Sequence, residues 1–578
     1  MRRTRTVPLA AMSAVVVLVL SACGGGGGGG ASQGGVFADC KTNPNTCNSV
    51  PPDQLRQGGQ ITFALEKNID NFFLLSSGGA VVDASNALRP LLPYVYGVQP
   101  DLEITLNQDV MESVEQTSDN PQTIVYKIRP EAAWSDGTPV SADDFIFTWR
   151  YQDATTCPGC APANTAGFNQ LASVTGSDGG KTVTAVFASP FADWKNLWSS
   201  GTPLYPAHIA AQQGDYTTAE GLKKIETYFS ATVPTWSAGP FQVQSWENNV
   251  ALTIVPNPRW YGATKPKLDR VVFRVITDAT QAPIALQNNE VQVIFPQPQV
   301  DLVEQVAAIP GVSQFQQLGL AWEHIDLNLR NPFLAAEPLR DALFLAVNRQ
   351  KMIDKTVGQF NPDVVPLGSN VLLPDQDGYQ DSYAALGATG DLEAAKKILI
   401  DAGYTGVGTA LVTPDGQAVP TLRMRYTVGN AIRQSQSEIF VAAARQLGVD
   451  FRIQTLDDLG GVLSSGDFDA IVYAYVSSPF PFGNAQQILV TGGGNNFAGY
   501  SDPRVDTLLN EAAASTDTAA GIAKLVEANA IIADASFQLP LYQKPTFLAV
   551  RNNVANARSN PTLDGPTYNI EEWGLRAP

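Results

Sequence analysis

The alternation of helical and strand patterns in the second half of the chain constrains the fold more than any other feature of the sequence. Residues 391–402 place apolar side chains on one helical face, with Gly403 just past the end of the pattern. Residues 432–447 form another helical pattern, and strand patterns follow at 449–453 and 469–476. Helices and strands that alternate along a chain pack as an α/β lobe, so we predict one here.

The length of the chain predicts more than one such lobe. A chain of 578 residues exceeds what one hydrophobic core normally supports, so two or three domains are expected. Ser141 and Asp144 have the spacing of a capping box, and apolar periodicity predicts a further helix at 338–349. The polar residues 31–57 predict an extended lead-in. Further strand patterns occur at 61–65, 123–128, 181–187, 251–255 and 270–276.

The N-terminus has the pattern of an export signal. Three arginines within the first five residues precede an apolar run at 15–20, which is too short to span a bilayer. The run ends in LSAC at 20–23, which matches the bacterial lipobox, in which the cysteine is acylated and the chain is cut before it. We therefore expect residues 1–22 to be a lipoprotein signal peptide and Cys23 to carry the lipid anchor. The alternative is an ordinary cleaved signal with an incidental cysteine.

A glycine tether and an acidic mature chain would follow the anchor. Residues 24–30 are all glycine, and no strand precedes them, so they predict a flexible tether rather than a phosphate-binding loop. The formal charge is −18, and cleavage of the signal would remove arginines but no acid. Such a surface disfavours nucleic acid and anionic membranes as partners and supports solubility, but it does not identify a ligand.

The remaining cysteines predict disulfides, because export leads to an oxidising compartment. Cys40, Cys47, Cys157 and Cys160 allow three pairings, of which the local ones, 40 with 47 and 157 with 160, are the simplest. Cys157 and Cys160 also resemble a redox motif, but they lie in a Pro/Gly/Ala-rich loop and not at a helix start. A zinc site is disfavoured, because the two pairs are unequally spaced and far apart in sequence.

The sequence contains no catalytic pattern. His208 and His324 are the only histidines, and neither lies in a recognisable triad. No nucleophile elbow, phosphate-binding loop or zinc-protease motif occurs. We therefore predict a binding protein that is not an enzyme and has no cofactor and no metal.

Several blocks resemble one known family, the extracellular solute-binding proteins of family 5, which includes oligopeptide- and dipeptide-binding proteins. The blocks occur in the family's order, and the resemblance runs from about residue 60 to 575. They read WSDGTPVSADDF at 134–145, AGPF at 238–241, NPRWY at 257–261, LNL at 327–329, PF at 332–333, LRDALFLAVNR at 339–349, AAKKIL at 394–399, AGY at 402–404 and GYSDPRVD at 499–506.

The resemblance implies a bilobal α/β fold of the periplasmic-binding-protein type, with a hinge between the lobes and an extra subdomain in the larger lobe. It also implies a monomeric substrate-binding protein of an ABC transporter, lipid-anchored at the outer face of the cell membrane. Its partners would be an oligopeptide or similar extended ligand and a membrane permease. The expected boundaries are 23–57 for the tether and lead-in, 58–98 and 204–316 for lobe I, 99–203 for the extra subdomain, 317–545 for lobe II, and 546–578 for the return to lobe I.

The resemblance also suggests which residues face the ligand, since strand ends and the loops after them line such clefts. Tyr475 occupies a position where the family usually has Trp, at the loop after the 469–476 strand. Trp322, just before a strand predicted at 324–329, resembles another cleft position. The predicted ligand contacts are Phe72, Trp322, Asn430, Tyr475, Ser477, Ser478, Phe480 and Asn496.

One departure from the family pattern leaves the ligand class open. In oligopeptide binders an Asp shortly after the aromatic residue pairs with the free amino terminus of the peptide, but residues 476–480 read VSSPF here, without an acid. Either another carboxylate takes the amine, or the ligand has none. The alternatives are the same transport role for a glycoside, a siderophore-like compound or a metal chelate. Less favoured are a surface hydrolase or peptidase, and a lipoprotein that does not take part in transport.

Overall fold

One large sheet connects the two halves of the molecule. The computed structural model describes residues 35–384 and 388–577, so the expected signal peptide, Cys23 and the glycine tether lie outside the described residues. Within the described chain the large sheet contains ten strands, and a separate antiparallel sheet contains four. The strands are β1 Leu55–Arg56, β2 Gln60–Leu65, β3 Tyr96–Val98, β4 Ile104–Leu106, β5 Met111–Asp119, β6 Gln122–Ile128, β7 Leu171–Ser177, β8 Thr182–Phe187, β9 Phe241–Glu247, β10 Ala251–Pro256, β11 Arg270–Val275, β12 Val293–Ile294, β13 Val312–Leu327, β14 Leu422–Thr427, β15 Phe451–Leu456, β16 Ala470–Val476, β17 Gln538–Arg551, β18 Val554–Ala555 and β19 Gly574–Arg576.

Helices pack against the large sheet, and most of the helices lie in the second half of the chain. Several begin at a side-chain cap, as Asp391, Asn430 and Asp517 each accept a hydrogen bond from a backbone N–H of the first turn. The helices are α1 Val82–Leu88, α2 Ala142–Gln152, α3 Ala207–Gln213, α4 Ala219–Ala231, α5 Gln281–Gln287, α6 Val300–Ala307, α7 Glu337–Leu345, α8 Arg349–Asp354, α9 Leu392–Asp401, α10 Ala431–Arg445, α11 Leu459–Ser465, α12 Pro481–Leu489, α13 Pro503–Ala513 and α14 Thr518–Asp534.

The order of the large sheet is β15-β14-β16-β13-β17-β12-β2-β11-β10-β9. Its two long central strands, β13 and β17, are antiparallel partners, but their pairing is interrupted between Leu318 and Trp322. Gly319 lies in this interruption, where a Cβ atom would come within 2.8 Å of the Thr546 side chain. These two strands are therefore the connection between the lobes, and they change register where the chain passes from one lobe to the other.

Separate hydrophobic cores define the two lobes. The largest core is formed by residues 37–315 together with 548–575, and we call this part lobe I. Two further cores are formed by residues within 320–542, and we call this part lobe II. The β5-β6-β8-β7 sheet packs into the core of lobe I. The predicted bilobal α/β fold is confirmed by this arrangement.

The long strands correct two predictions. Trp322 was expected before a strand at 324–329, but it lies inside β13, and Tyr475 was expected in a loop but lies inside β16.

The predicted helix at 338–349 is divided, because α7 ends at Leu345 and the Asn348 side chain caps α8 by accepting from Lys351 N. The strand predicted at 449–453 begins two residues later, at Phe451, after a turn at Gly448 with positive φ.

The lead-in is not extended. Residues 35–54 form consecutive turns, closed by the Cys40–Cys47 disulfide and by the hydrogen bond from Cys47 N to Asn43 O. The other disulfide joins Cys157 to Cys160 in the loop after α2. Within the described residues, no helix is both long enough and apolar enough to cross a membrane.

The capping box is confirmed, and the structure shows its further role. Ser141 N donates to Asp144 Oδ2 at 3.0 Å, which begins α2. The same carboxylate also accepts from Trp134 Nε1 at 3.2 Å and from Ala207 N at 2.8 Å. Asp144 therefore ties three separate segments of lobe I together.

We predict that Gly239→Ala lowers the free energy of unfolding by about 1–3 kcal/mol, since an added methyl group overfills a packed core. A Cβ atom at this position would lie 2.1 Å from the Pro90 carbonyl oxygen, which belongs to the backbone and cannot swing aside. Urea unfolding followed by tryptophan fluorescence measures the effect. Gly311→Ala is unsuitable as a control because its φ is positive, so Gly494→Ala, where nothing lies within 4 Å and φ is ordinary, is the matched control. Equal stability of the two variants would contradict the prediction.

Candidate ligand-binding cleft

A cavity of about 230 Å³ lies between the two lobes, and we call it the cleft cavity. Both lobes contribute to its wall, so a molecule inside it would contact both at once. From lobe I the wall includes Ala80, Arg89, Val98, Ala163, Asn164, Ala166, Asn196, Ser199, Ser200, Gly201, Thr202, Thr562, Leu563 and Asp564. From lobe II it includes Leu320, Val476, Ser477, Ser478, Pro479, Phe480, Gly483, Asn484 and Gln487.

The wall of the cleft cavity is mixed polar and apolar and almost uncharged. Hydroxyl and amide side chains lie among apolar ones, and Arg89 and Asp564 are the charged residues in it. These two form an ion pair with each other, and Ser200 Oγ donates to Asp564 Oδ2 at 2.6 Å. Burial lowers the pKa of Arg89 to about 10, which still leaves the guanidinium charged at neutral pH. The cavity therefore offers neutral hydrogen-bond donors and acceptors and a charge pair that is already compensated.

The segment 476–480 forms the lobe II side of the wall. Ser477 N donates to Leu320 O at 2.8 Å, which ties the end of β16 to the interruption in β13. Gln376 Nε2 donates to Ser478 O at 2.8 Å, and Phe480 N donates to Ser478 Oγ at 3.1 Å. Val476, which begins this segment, is 43% exposed. The predicted contacts Ser477, Ser478 and Phe480 are thus brought together at the cleft.

Trp322 and Tyr475 lie behind this wall. They are directly opposite each other in the β13–β16 register, and they are 2% and 8% exposed. Their rings pack on His324, which stacks on Tyr475 with ring centroids 4.5 Å apart. The Tyr475 hydroxyl donates to Asn495 O at 2.6 Å. Neither residue belongs to the described lining of the cleft cavity, so any contribution to binding would act through the segment that they support.

A buried polar network continues below the two aromatic residues. Asp326 lies 2.8 Å from His324 Nδ1, 2.7 Å from the Tyr473 hydroxyl and 2.9 Å from Gln538 Nε2. His324 and Asp326 are fully buried, and burial together with the neighbouring Asp326 raises the pKa of Tyr473 well above its ordinary range. The network links β13, β16 and β17. None of its residues lines the cleft cavity.

The other predicted contacts have structural partners. Asn430 caps α10 by accepting from Arg433 N at 3.0 Å, and it lines a small cavity of about 30 Å³ at a different place between the lobes. Asn496 donates to Val490 O and Tyr500 O, which closes the loop before α13. Phe72 is buried in lobe I against Trp246. The structure therefore places these three residues away from the lining of the cleft cavity.

A larger cavity of about 750 Å³ shares Pro479 and Phe480 with the cleft cavity, and we call it the acidic cavity. Both lobes contribute acids to its lining. Its charged lining residues are Asp101, Glu103, Asp193, Lys195, Asp375 and Asp377. Among the described residues, no group of three or more His, Cys, Asp or Glu is arranged to hold a metal ion, so these carboxylates do not form a preassembled metal site.

None of the lobe I wall was predicted from the sequence. Arg89, Asn164, Ser200, Thr202 and Asp564 come from segments that are far apart in sequence. None of them lies in a motif, and each is a residue type that is common on surfaces. Their convergence depends on how the lobe I strands and the C-terminal return pack together, so no local signal was present to identify them.

Comparison with known proteins gives a consistent result. The sequence model described as "Bacterial extracellular solute-binding proteins, family 5 Middle" matches residues 105–497. The oligopeptide-binding protein OppA of Mycobacterium tuberculosis is 29% identical, over 88% of this chain and 84% of its own. A protein of the same organism that is named only as a lipoprotein is 25% identical, over 86% of this chain and 90% of its own.

A solved structure resembles the whole fold. The periplasmic EDTA-binding protein EppA is 35% identical, with a TM-score of 0.87, and the match covers 93% of this chain and 99% of that chain. The likeness therefore extends over both lobes.

Proposed function

Because this chain belongs to the bacterial extracellular solute-binding proteins of family 5, we propose that it is the substrate-binding protein of an ABC importer. It captures an oligopeptide or a similarly extended solute between its lobes and delivers it to a membrane permease. It acts as a monomer and catalyses no reaction.

The observation that carries this proposal is the cavity whose wall, with its hydroxyl and amide groups, comes from both lobes. A ligand contacts both walls only when the lobes are closed, so its binding energy favours the closed state over the open one. The paired strands β13 and β17 supply the connection about which the lobes close, and their interrupted pairing reduces resistance to bending there. A permease that recognises the closed form would then distinguish loaded from empty protein.

The charge of the cleft cavity favours a peptide over a polyanionic chelate. A peptide backbone presents neutral N–H and C=O groups, which match the hydroxyl and amide groups of the wall. A multiply charged carboxylate ligand would need uncompensated cations to replace its hydration, but Arg89, the cation in the cavity lining, is already paired with Asp564. The similarity to OppA supports the same choice.

A metal chelate is the second candidate, and the likeness to EppA favours it. The name of that protein states that it binds EDTA, and the identity of 35% extends over both lobes. For a chelate to bind here, Asp564 would have to release Arg89, so the ligand would compete with an internal carboxylate for the same guanidinium. This competition is why we place the chelate second.

The acidic cavity offers a place for the amino group of a peptide. Ser478 stands near the position where the family's oligopeptide binders have their amine-binding Asp. Asp101 and Glu103 of lobe I and Asp375 and Asp377 of lobe II line the adjoining space beyond Phe480. A ligand amine between these carboxylates would reduce their mutual repulsion across the cleft and so favour closure.

The chain is held at the outer face of the cell envelope by a lipid on Cys23, and the seven-glycine tether separates the lipid from the lobes. The similarity to a mycobacterial protein named as a lipoprotein supports this part of the proposal.

The function is tested by native mass spectrometry of the protein purified without refolding, followed by denaturation and identification of the released molecules. We expect a series of masses that fit short peptides. An empty sample is then incubated with a mixed peptide pool and, separately, with iron(III)–EDTA. Binding of iron(III)–EDTA without binding of any peptide would replace the peptide hypothesis with the chelate hypothesis, and binding of neither would contradict both.

A further inference from the structure

An aspartate of lobe I caps a helix of lobe II. Asp193 Oδ2 accepts a hydrogen bond from Gly483 N, in the first turn of α12, at 3.0 Å. Asp193 follows β8 in lobe I, whereas α12 belongs to the core of lobe II. The side chain is almost completely buried, with 5% of the residue exposed. A cap normally comes from the residue just before its own helix, and here Phe480 stands at that position and provides no side-chain acceptor.

The surrounding contacts show that α12 docks closely against lobe I. A Cβ atom at Gly483 would lie 2.9 Å from Ala166 Cβ, so the helix approaches to a distance that suits glycine. Further along the helix, Gln487 Nε2 donates to Asn164 Oδ1 at 3.2 Å. Beside Asp193, Ala192 N donates to Ala513 O, at the end of α13, at 2.8 Å. We call these contacts, together with the Asp193 cap, the docking face.

We propose that Asp193 is a positioning residue for lobe closure, which caps α12 across the cleft and thereby holds the 477–480 segment against the ligand. The docking face exists only when the lobes are together, because its donors and acceptors come from different lobes. The Asp193 carboxylate lies outside the lining of the cleft cavity and at the edge of the acidic cavity, and its bond to Gly483 N stabilises the closed state whether or not a ligand is present. The proposal concerns the closed state itself and does not depend on the class of ligand.

Closure buries this carboxylate, which makes the docking face sensitive to pH. Burial raises the pKa of Asp193 to about 7, although hydrogen bonds from Gly483 and Phe482 act in the opposite direction. The ionisable groups that share the adjoining acidic cavity are Asp101 and Glu103 from lobe I, Lys195 next to the cap, and Asp375 and Asp377 from lobe II. When the lobes separate, water returns to the carboxylate and its pKa falls towards the ordinary value.

The direction of the pH effect follows from this difference. The closed state has the higher pKa, so it binds a proton that the open state does not hold at the same pH. Closure is therefore favoured at low pH, and the advantage is lost as pH rises through about 7. For a closed-state pKa near 7, the ratio of closed to open protein should fall about tenfold between pH 6 and pH 8.

The test measures this ratio in ligand-free full-length protein by double electron–electron resonance. Spin labels are placed on exposed positions of the two lobes, at Glu115→Cys in β5 and Ala523→Cys in α14. A Cys23→Ser background removes the remaining unpaired thiol, because the other cysteines form the two disulfides. No ligand is needed, so the result is independent of whether the peptide hypothesis holds.

Three variants distinguish the effect of the capping hydrogen bond from the effect of the carboxylate charge. Asp193→Asn keeps an oxygen that can accept from Gly483 N but does not titrate, so we expect closure without the pH dependence. Asp193→Ala removes the acceptor and should lower the closed-to-open ratio at pH 6 about fivefold, as the loss of a helix cap does. Gly483→Ala adds a methyl group at the docking face and should lower the ratio at both pH values. Asp119→Asn, an exposed carboxylate of the same lobe, is the matched control and should behave as the wild type.

Several outcomes would overturn the proposal. One is a closed population in Asp193→Ala equal to that of the wild type at pH 6. Another is an Asp193→Asn protein that keeps the wild-type pH dependence. A wild-type protein that is open at both pH values would also overturn it. If Asp193→Ala fails to fold, the comparison of Asp193→Asn with the wild type still decides the question.

Discussion

Glu323→Gln is expected to lower the free energy of unfolding by about 3–5 kcal/mol, the usual result of removing one partner from a buried ion pair. Glu323 lies on β13, is 1% exposed, and pairs with Arg433 of α10 and with Lys544 of β17, whose Nζ is 3.1 Å from Glu323 Oε2. Glutamine keeps the shape of the side chain but has no charge. Both cations would then remain beside a neutral partner in a poorly hydrated place, which is the source of the large effect.

Urea unfolding at neutral pH, followed by circular dichroism and tryptophan fluorescence, measures the change. Glu393→Gln is the matched control, since Glu393 pairs with Lys396 at 2.9 Å but its side chain is 86% exposed. Exposed ion pairs of this kind contribute little to stability, so the free energy of unfolding of the control should stay within about 0.5 kcal/mol of the wild-type value. Equal losses of unfolding free energy in Glu323→Gln and Glu393→Gln would contradict the interpretation that Glu323, Arg433 and Lys544 form a buried charge group.

The effect of Glu323→Gln on stability should itself depend on pH. Burial alone would raise the pKa of Glu323, but Arg433 and Lys544 lower it to about 2. A folded-state pKa below the unfolded value means that the contribution to stability is present above the unfolded pKa, which is about 4.5. It is lost as the pH falls from there towards 2. The difference between wild type and Glu323→Gln should therefore be constant near neutrality and shrink below about pH 4.5.

Cys23→Ser is expected to release the protein from the membrane almost completely. Each buried methylene of an acyl chain contributes about 0.8 kcal/mol to membrane binding, so the loss of the lipid removes nearly all of the attachment. The apolar run at 15–20 is too short to replace it as a membrane span. The net charge of −18 also gives the chain no attraction to an anionic surface.

Fractionation of cells and culture medium, with an antibody against the protein, measures the release. Ser32→Ala lies beyond the glycine tether, leaves the lipobox intact and should remain in the membrane fraction. Incorporation of labelled palmitate into Ser32→Ala but not into Cys23→Ser would identify the attached group. Retention of Cys23→Ser in the membrane fraction would contradict the lipid anchor.

The local patterns of the sequence were sufficient to predict the elements that short-range chemistry controls. The capping box at Ser141 and Asp144 depends on residues three apart, and the structure forms it as predicted. The helix at Leu392–Asp401 was predicted from its apolar face and from the glycine after it. The family blocks then supplied the bilobal arrangement, which no local pattern contains.

The residues that line the cleft were harder to predict. The alternation of side chains along a strand shows which residues share a face of the sheet, but it does not show whether that face borders the cleft or the core. Trp322 and Tyr475 do share a location, as directly opposed residues of β13 and β16, but it is the aromatic layer behind the cleft. Ser477, Ser478 and Phe480 come after the strand, where the chain leaves the sheet, and these do line the cavity.

The sequence by itself determined the α/β class, the family and the starts of α2 and α9, because each depends on neighbouring residues or on blocks of similar sequence. Tertiary structure alone decided which distant groups of the chain meet. Arg89 meets Asp564, and Asp193 caps α12, although in each case the partners are hundreds of residues apart. The physical reason is that burial changes the energy of a charge only once the chain has folded around it, and no spacing within the sequence records which distant segments will do so.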